Sequence, residues 1–174
     1  GQPVPVVILP TKMGLLFTFH RDTGEPFFPI EERPVPASDI DGEQAWPTQP
    51  FPVRPPPLVP QSFSADDFWG ISMFDRVQCR ERYGSYRMGP IYTPPSLEGT
   101  IIVPSTAGGI NWGGLAFDPD SQTVVTFSMD LPMEVALIPR DQLRATYDSG
   151  DYDGYEFARM EGTPYGMRRR MLDS

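Results

Sequence analysis

The chain has 174 residues, among them 16 glycines and 22 prolines, and a formal net charge of −9 at pH 7. Glycine and proline together stand well above their usual share of about 12%, which excludes a mainly helical protein. The hydrophobic fraction of 39% is enough to form a core, so the composition favours an all-β or loop-rich fold. The acidic charge argues against a nucleic-acid partner, because phosphate binding requires a basic surface.

The first 28 residues predict a β-hairpin. The runs "PVVILP" (5–10) and "GLLFTFHR" (14–21) are rich in β-branched and aromatic residues, and only "TKM" separates them. Gly14 at the junction suits the tight connection of a hairpin. The following "RDTGEPFF" supplies a turn in which Gly24 takes the position of positive φ.

Residues 29–63 predict a long excursion that is mostly proline and charge. Proline at this density excludes a helix and does not suit a central strand. Its aromatic residues, Trp46 and Phe51 among them, are too apolar for a free linker. We therefore expect a loop packed over a scaffold.

Residues 64–83, "SADDFWGISMFDRVQCRERY", predict the helix of this chain. Ser64 or Asp66 suits its N-cap, and acidic residues follow in the first turn. The spacing predicts that one apolar face packs inward. That face comprises Phe68, Ile71, Phe74 and Cys79.

Strands return over residues 98–140 and give way to a tail, 141–174, that we expect to be loop-rich. The strand candidates are "GTIIVPS", "GGLAFDP", "QTVVTFSM" and "MEVALIPR", with a hairpin turn at 118–121. In the tail, the run Arg168-Arg169-Arg170 is typical of a solvated charge cluster. Short strands in hairpins fit the blades of a β-propeller, and their spacing equally allows a sandwich.

His20 is the sole histidine, so no metal site built from several histidines can be completed within the chain. Two other places in the sequence could carry chemistry. Lys12 stands at the tip of an otherwise apolar hairpin, where a solvated turn lysine is the alternative reading. Asn111 and Trp112 stand between glycines, where a ring could stack on the indole and the amide could form hydrogen bonds. The alternative there is a core tryptophan beside a turn asparagine.

Particular residues, in collinear order over nearly the whole chain, resemble one family. The matching segments are "KMG", "RDTGE", "PTQPF", "WGISMFD", Cys79-Arg80, "YTPPSLEGTIIVPSTAGGINWGGLAFDP", "ALIPR" and "TPYG". They are similar to those of the membrane-bound quinoprotein dehydrogenases of the glucose, quinate and shikimate group, which use pyrroloquinoline quinone (PQQ). The resemblance implies an eight-bladed all-β propeller, of which this chain would hold about two blades. The proline-rich loop and the helix would be insertions, and the chain an internal fragment of the PQQ-binding domain.

The resemblance also assigns roles to the residues singled out above. It makes Lys12 the catalytic lysine that contacts the ortho-quinone oxygens, and it places Asn111 and Trp112 beside the cofactor. Trp112 would form the floor of the cofactor site, and the glycines would leave room for the rigid ring. We therefore expect Lys12 and Trp112 to line one cleft.

Other parts of the site are expected outside these residues. The resemblance implies a catalytic aspartate upstream of Gly1, a Ca²⁺ or Mg²⁺ ion held by residues beyond this segment, and a membrane anchor elsewhere, so no metal ligand is assigned here. It implies a sugar or cyclic polyol substrate, glucose-type first and quinate or shikimate second, with ubiquinone as acceptor at the periplasmic face of the inner membrane. The segment alone would be inactive, and Cys79 would pair with a cysteine beyond Ser174. The alternative is a non-catalytic periplasmic propeller that serves as a protein-binding scaffold.

Overall fold

The computed structural model describes residues 3–70 and 72–172, and its regular structure is mostly short antiparallel strands. The strands are β1 (Val6–Pro10), β2 (Leu16–His20), β3 (Ile30–Pro34), β4 (Thr48–Pro52), β5 (Thr100–Ile102), β6 (Leu115–Asp118), β7 (Thr123–Thr126), β8 (Met133–Pro139), β9 (Glu156–Ala158) and β10 (Tyr165–Met171). The helices are α1 (Met73–Tyr83) and α2 (Leu143–Asp148).

The predicted hairpin over the first 28 residues is confirmed. Strands β1 and β2 pair in antiparallel register from Val6 opposite His20 to Pro10 opposite Leu16. The connection closes through a hydrogen bond from the Gly14 amide to the Thr11 carbonyl, 2.9 Å long. Gly14 has a φ of +71°, which glycine adopts at little cost. The hairpin therefore fixes Lys12 at its tip.

The largest sheet has four antiparallel strands in the order β5-β8-β10-β9. Strand β8 lies inside the sheet and is buried at six of its seven positions, as its apolar sequence "MEVALIP" predicts. A core of Phe63, Phe68, Tyr83, Ile101 and Val103 packs beside β5, and the free, half-buried thiol of Cys79 contacts it. A four-stranded antiparallel sheet of this kind is the unit of a propeller blade.

The expectation of a loop-rich tail at 141–174 is wrong, because the tail contains α2, β9 and the seven-residue strand β10. The reading of Arg168–Arg170 as a solvated charge cluster is also wrong. Arg168 is only 8% exposed, and its guanidinium lies 4.3 Å from the ring centroid of Tyr152. Arg170 pairs with the buried Glu134 at 3.0 Å. Aromatic rings and a carboxylate therefore cover two arginines that the sequence pattern predicts to be exposed to solvent.

The proline-rich segment 29–63 contains a two-stranded ribbon, which was not expected. Strands β3 and β4 pair from Ile30 opposite Pro52 to Pro34 opposite Thr48. Each strand of a two-stranded ribbon is an edge strand, so a proline can sit where its missing N–H would face away from the partner. Density of proline excluded a helix and a central strand here, and it did not exclude this ribbon.

The helix begins nine residues later than predicted. Ser72 is its N-cap, and a capping box joins the Ser72 and Asp75 side chains to each other's backbone amides. Ser64 instead forms a separate turn, because its amide and hydroxyl each donate to Asp67 at 2.7 Å. The predicted inward face is only partly correct: Phe68 is buried ahead of the helix, but Phe74 is 85% exposed. Ile71, the remaining member of that face apart from Cys79, lies outside the described residues.

Residues 98–140 form the predicted strands, but not within one sheet. Strands β5 and β8 belong to the four-stranded sheet, whereas β6 and β7 pair only with each other in the described part of the chain. The predicted turn at 118–121 is confirmed by the pairing of Asp118 with Thr123. The β6–β7 ribbon follows directly after the segment that carries Asn111 and Trp112.

Tyr152 and Tyr155 pack against the arginines of β10. The burial of Tyr155 makes one pH dependence of stability testable. Burial raises the pKa of Tyr155 to about 12, and the nearby Glu134 carboxylate adds to the rise. An unfolded tyrosine has a pKa of about 10, so Tyr155 stays protonated to a higher pH in the folded state than in the unfolded state. The resulting stabilisation is fully present below about pH 10 and is lost as the pH rises towards 12.

We therefore expect Tyr155→Phe, in the complete polypeptide, to lose less stability between pH 9 and 11.5 than the unchanged protein does. The measurement is the urea midpoint as a function of pH. Tyr147→Phe is the matched control, because Tyr147 is 66% exposed, and it should follow the unchanged protein. Identical pH profiles for all three proteins would contradict the assignment.

Candidate functional site

The structure brings all three sequence-predicted site residues to one cleft. A shallow cleft of about 280 Å³, wide open to solvent, is lined by Pro10 and Lys12 from the β1–β2 hairpin and by Ile110, Asn111 and Trp112 from the loop before β6. About 100 residues separate the two loops in the sequence. Lys12 and Trp112 therefore lie close together, as the family resemblance implies.

The two loops are joined by backbone and side-chain hydrogen bonds in both directions. The Gly109 amide donates to the Lys12 carbonyl at 2.7 Å, and the Lys12 ammonium donates to the Thr106 carbonyl at 3.0 Å. A turn brings Thr106 into place, closed by the Gly108 amide donating to the Ser105 carbonyl at 2.8 Å. The hairpin tip and the loop therefore form one local unit.

The glycines of this loop serve two different purposes. Gly108 has a φ of +85°, and a Cβ there would lie 2.9 Å from Cγ of Lys12. A Cβ at Gly109 would lie 2.8 Å from the Val59 side chain. These two glycines thus make room for the chain itself. A Cβ at Gly113 or Gly114 would have no described atom within 4 Å, so the space beside Trp112 is open.

Trp112 is 97% exposed in this chain, so the described residues do not bury it in a core. Its neighbour Asn111 is half-buried, and its carbonyl accepts a hydrogen bond from the Gly114 amide at 3.0 Å, so the asparagine does sit in a turn. An indole presents a large apolar face together with one N–H donor. An exposed face of this size is typical of a surface that another group covers.

Lys12 supplies positive charge to an acidic chain. It is the only lysine in the sequence, and its side chain is exposed at the hairpin tip. An ammonium group has three N–H donors. The bond to the Thr106 carbonyl engages one of them and directs the group along the loop that carries Trp112. The remaining donors can serve an oxygen ligand within the cleft.

Other sequence candidates lie elsewhere. His20 ends β2, and its ring packs against Phe27 with centroids 5.3 Å apart. Within residues 3–70 and 72–172, no group of three or more histidine, cysteine, aspartate or glutamate residues is placed to hold a metal ion. No helix in the same ranges has the length and apolarity to cross a membrane.

One protein family matches the chain over its full length. Residues 1–174 match the family model described as "PQQ: Glucose/ethanol/alcohol dehydrogenase, beta-propeller domain". The chain belongs to this PQQ dehydrogenase family. The expected fold, an all-β partial propeller, is confirmed by the match together with the small antiparallel sheets.

Similar proteins include several PQQ dehydrogenases. The chain is 36% identical to a quinoprotein glucose dehydrogenase of Escherichia coli K12, over 96% of this chain and 21% of that protein. It is 34% identical to a quinate/shikimate dehydrogenase (quinone) of Acinetobacter baylyi, over 100% and 22% respectively. It is also 34% identical to a glycerol dehydrogenase large subunit of Gluconobacter oxydans, over 96% and 24%. The chain thus spans about a fifth of the length of these relatives, and no solved structure matches it.

The residues of the cleft fit the cofactor of the PQQ dehydrogenase family. PQQ is a flat ring system that carries quinone oxygens and carboxylates, so it requires an apolar surface and positive or N–H donors. The cleft offers the exposed indole of Trp112, the ammonium of Lys12 and the side-chain amide of Asn111. Open space beside Gly113 and Gly114 leaves the indole accessible.

The sequence pattern alone did not single out Thr106, which positions the Lys12 ammonium through its carbonyl. A carbonyl contact carries no side-chain signature, so the residue type gives no hint of it. Arg169, which donates from β10 to the Thr106 hydroxyl, was missed for a different reason: strand β10 was not predicted.

Proposed function

We propose that the chain is part of a PQQ-dependent dehydrogenase that oxidises a hydroxyl group of a sugar or cyclic polyol and passes the electrons to ubiquinone. The single observation that carries this proposal is the cleft shared by Lys12 and Trp112. A glucose-type substrate is our first choice, and quinate or shikimate is the second. The similarity to glucose and quinate dehydrogenases supports these substrate classes.

Three residues of the cleft have separate roles in this proposal. When bound, PQQ supplies the carbonyl carbon that accepts a hydride from the substrate carbon. The Lys12 ammonium stabilises the negative charge that develops on the neighbouring oxygen. Trp112 packs its indole against the flat ring, and Asn111 contributes an amide donor and acceptor at the edge.

The remaining parts of the site are assigned to other regions of the complete polypeptide. These are the aspartate that takes the hydroxyl proton, the ligands of a Ca²⁺ or Mg²⁺ ion, and a membrane anchor that would hold the domain at the periplasmic face of the inner membrane. The chain by itself therefore lacks the acid–base machinery for turnover. Pairing of Cys79 with a cysteine beyond Ser174 remains part of the same proposal.

A non-catalytic scaffold propeller is the competing function. Such a protein needs blades but neither a cationic tip nor an exposed indole in one cleft. A titration of the complete polypeptide with PQQ, in the presence of Ca²⁺ or Mg²⁺, separates the two. We expect saturable PQQ binding and dye-linked oxidation of glucose, quinate, shikimate or glycerol. No binding and no dye reduction would favour the scaffold.

The close approach of Gly108 to Lys12 gives a sharper test of the cleft. In Gly108→Ala, a methyl group 2.9 Å from Cγ of Lys12 forces the side chain to move. We expect PQQ affinity in the complete polypeptide to fall about tenfold, a change of about 1.4 kcal/mol. The measurement is the Kd from a fluorescence titration with PQQ.

Gly24→Ala is the matched control for Gly108→Ala. Gly24 has a similar φ of +74°, but a Cβ there would have no described atom within 4 Å. Both variants therefore carry backbone strain of about 1 kcal/mol. Only Gly108→Ala displaces Lys12, so equal PQQ affinities for the two variants would contradict the role of this contact.

A further inference from the structure

We infer that Thr106 and Arg169 are positioning residues for Lys12, and that Arg169 acts through Thr106. The inference rests on the proposed function, because it assigns a purpose to the orientation of the Lys12 ammonium. It adds two residues that lie outside the cleft lining. One belongs to the loop before β6 and the other to the strand β10.

Thr106 is held from two sides. Its carbonyl accepts the Lys12 ammonium at 3.0 Å, and its hydroxyl oxygen accepts from Nη1 of Arg169 at 3.3 Å. The same hydroxyl donates to Sδ of Met133 on β8 at 3.5 Å. One residue thus ties the hairpin tip, the loop and the four-stranded sheet together.

Arg169 is itself fixed in the sheet. It stands opposite Glu156 on β9, and Nε donates to that carboxylate at 2.8 Å. It also stands opposite Val135 on β8, so its strand neighbours on both sides set its direction. The guanidinium is planar, so Nε binds Glu156 while Nη1 reaches Thr106 without a change of rotamer.

The positions of these contacts argue for a role other than stability. The side chains of Arg169 and Glu156 are 32% and 72% exposed, and exposed pairs of this kind contribute little to folding. A lysine side chain has many rotamers. When one carbonyl directs the ammonium, the position of that ammonium depends on how firmly the carbonyl is held. Arg169 fixes the side chain of Thr106, and hence the turn that presents its carbonyl.

The apoprotein offers a direct readout of this arrangement. Lys12 is the only lysine in the 174 residues, so amine acetylation of its peptide reports on one side chain. An ammonium held by a carbonyl reacts more slowly than a free one. In the complete polypeptide without PQQ, we expect Arg169→Gln and Thr106→Val to raise the acetylation rate of Lys12 about fivefold, the effect of one hydrogen bond.

Conservative variants separate positioning from a general loss of structure. Thr106→Ser keeps the hydroxyl and should retain the original rate. Glu156→Gln keeps Arg169 and should change the rate little. Arg144→Gln is the matched control, because Arg144 pairs with Asp148 at an exposed site on α2 and lies far from the loop in sequence. The double variant Arg169→Gln/Thr106→Val should equal the single variants, because both remove the same contact.

Two results would overturn the inference. The first is an unchanged Lys12 acetylation rate in Arg169→Gln and Thr106→Val; the second is an equal increase in Arg144→Gln. Should Arg169→Gln fail to fold, Thr106→Val decides alone, since it only replaces the hydroxyl with a methyl group. The PQQ titration is read separately: we expect about a fivefold higher Kd in both variants. Failure of the unchanged protein to bind PQQ would reject the proposed function, whereas the acetylation rates would still decide the positioning of Lys12.

Discussion

If the proposed function is correct, replacing Lys12 by alanine is expected to lower the turnover of the complete polypeptide about 10²–10³-fold. This is the usual effect of removing one group that stabilises charge on a reacting oxygen. Folding should be almost unaffected, because the side chain is exposed at a hairpin tip. The measurement is kcat in a dye-linked assay with saturating PQQ, together with the thermal unfolding midpoint.

A second cation in the same β1–β2 region provides the control for Lys12→Ala. Arg21 follows β2 at the opposite end of the hairpin, and its side chain is 63% exposed beside Asp22. Like Lys12→Ala, Arg21→Ala removes one positive charge, but Arg21 does not line the cleft, so kcat should remain unchanged. An equal loss of turnover in both variants would attribute the effect to net charge and would remove Lys12 from the mechanism.

Replacing Arg170 by methionine is expected to lower the free energy of unfolding by about 3–5 kcal/mol. Arg170 pairs with Glu134 at 3.0 Å, and Glu134 is only 1% exposed. Removing one member of a buried pair leaves the other charge without compensation in a medium of low polarity. The measurement is urea unfolding of the complete polypeptide, followed by tyrosine and tryptophan fluorescence.

The double variant separates an ion-pair effect from lost packing around Arg170. In Glu134→Met/Arg170→Met both charges are gone and the volume is nearly kept, so most of the lost stability should return. Arg144→Met breaks an exposed pair on α2 and should cost at most about 0.5 kcal/mol. A loss in Arg170→Met no greater than in Arg144→Met would contradict the importance of the buried pair.

The sequence predicted those elements whose pattern is local. The β1–β2 hairpin and the apolar strand β8 follow from β-branched runs and turn residues, and both form where expected. Strand β10 was missed because its centre is three arginines. Only the folded chain shows that Tyr152, Tyr155 and Glu134 cover two of them.

The start of α1 illustrates a competition between two local signals. Ser64 and Ser72 are both N-cap residues by type, each followed three residues later by an aspartate that bonds back to its amide. Composition cannot decide between them. The Ser64 turn is followed by Phe68, which enters the core, and the helix begins only after Gly70.

The cleft depended on information that local pattern does not contain. Spacing alone left Lys12 as a turn lysine and Trp112 as a core residue. The family resemblance brought them together, and the long-range pairing of the hairpin tip with the 105–114 loop places them side by side. Only the folded chain shows that the Thr106 carbonyl accepts the Lys12 ammonium and that Arg169 reaches the Thr106 hydroxyl.

The most direct test is a structure of the complete polypeptide with PQQ bound. We expect the Trp112 indole to lie in van der Waals contact with the cofactor plane, at about 3.5–4 Å. We also expect Nζ of Lys12 to lie within about 3 Å of a quinone oxygen. PQQ bound elsewhere, with the Trp112 face and the Lys12 ammonium both in water, would contradict the proposed function.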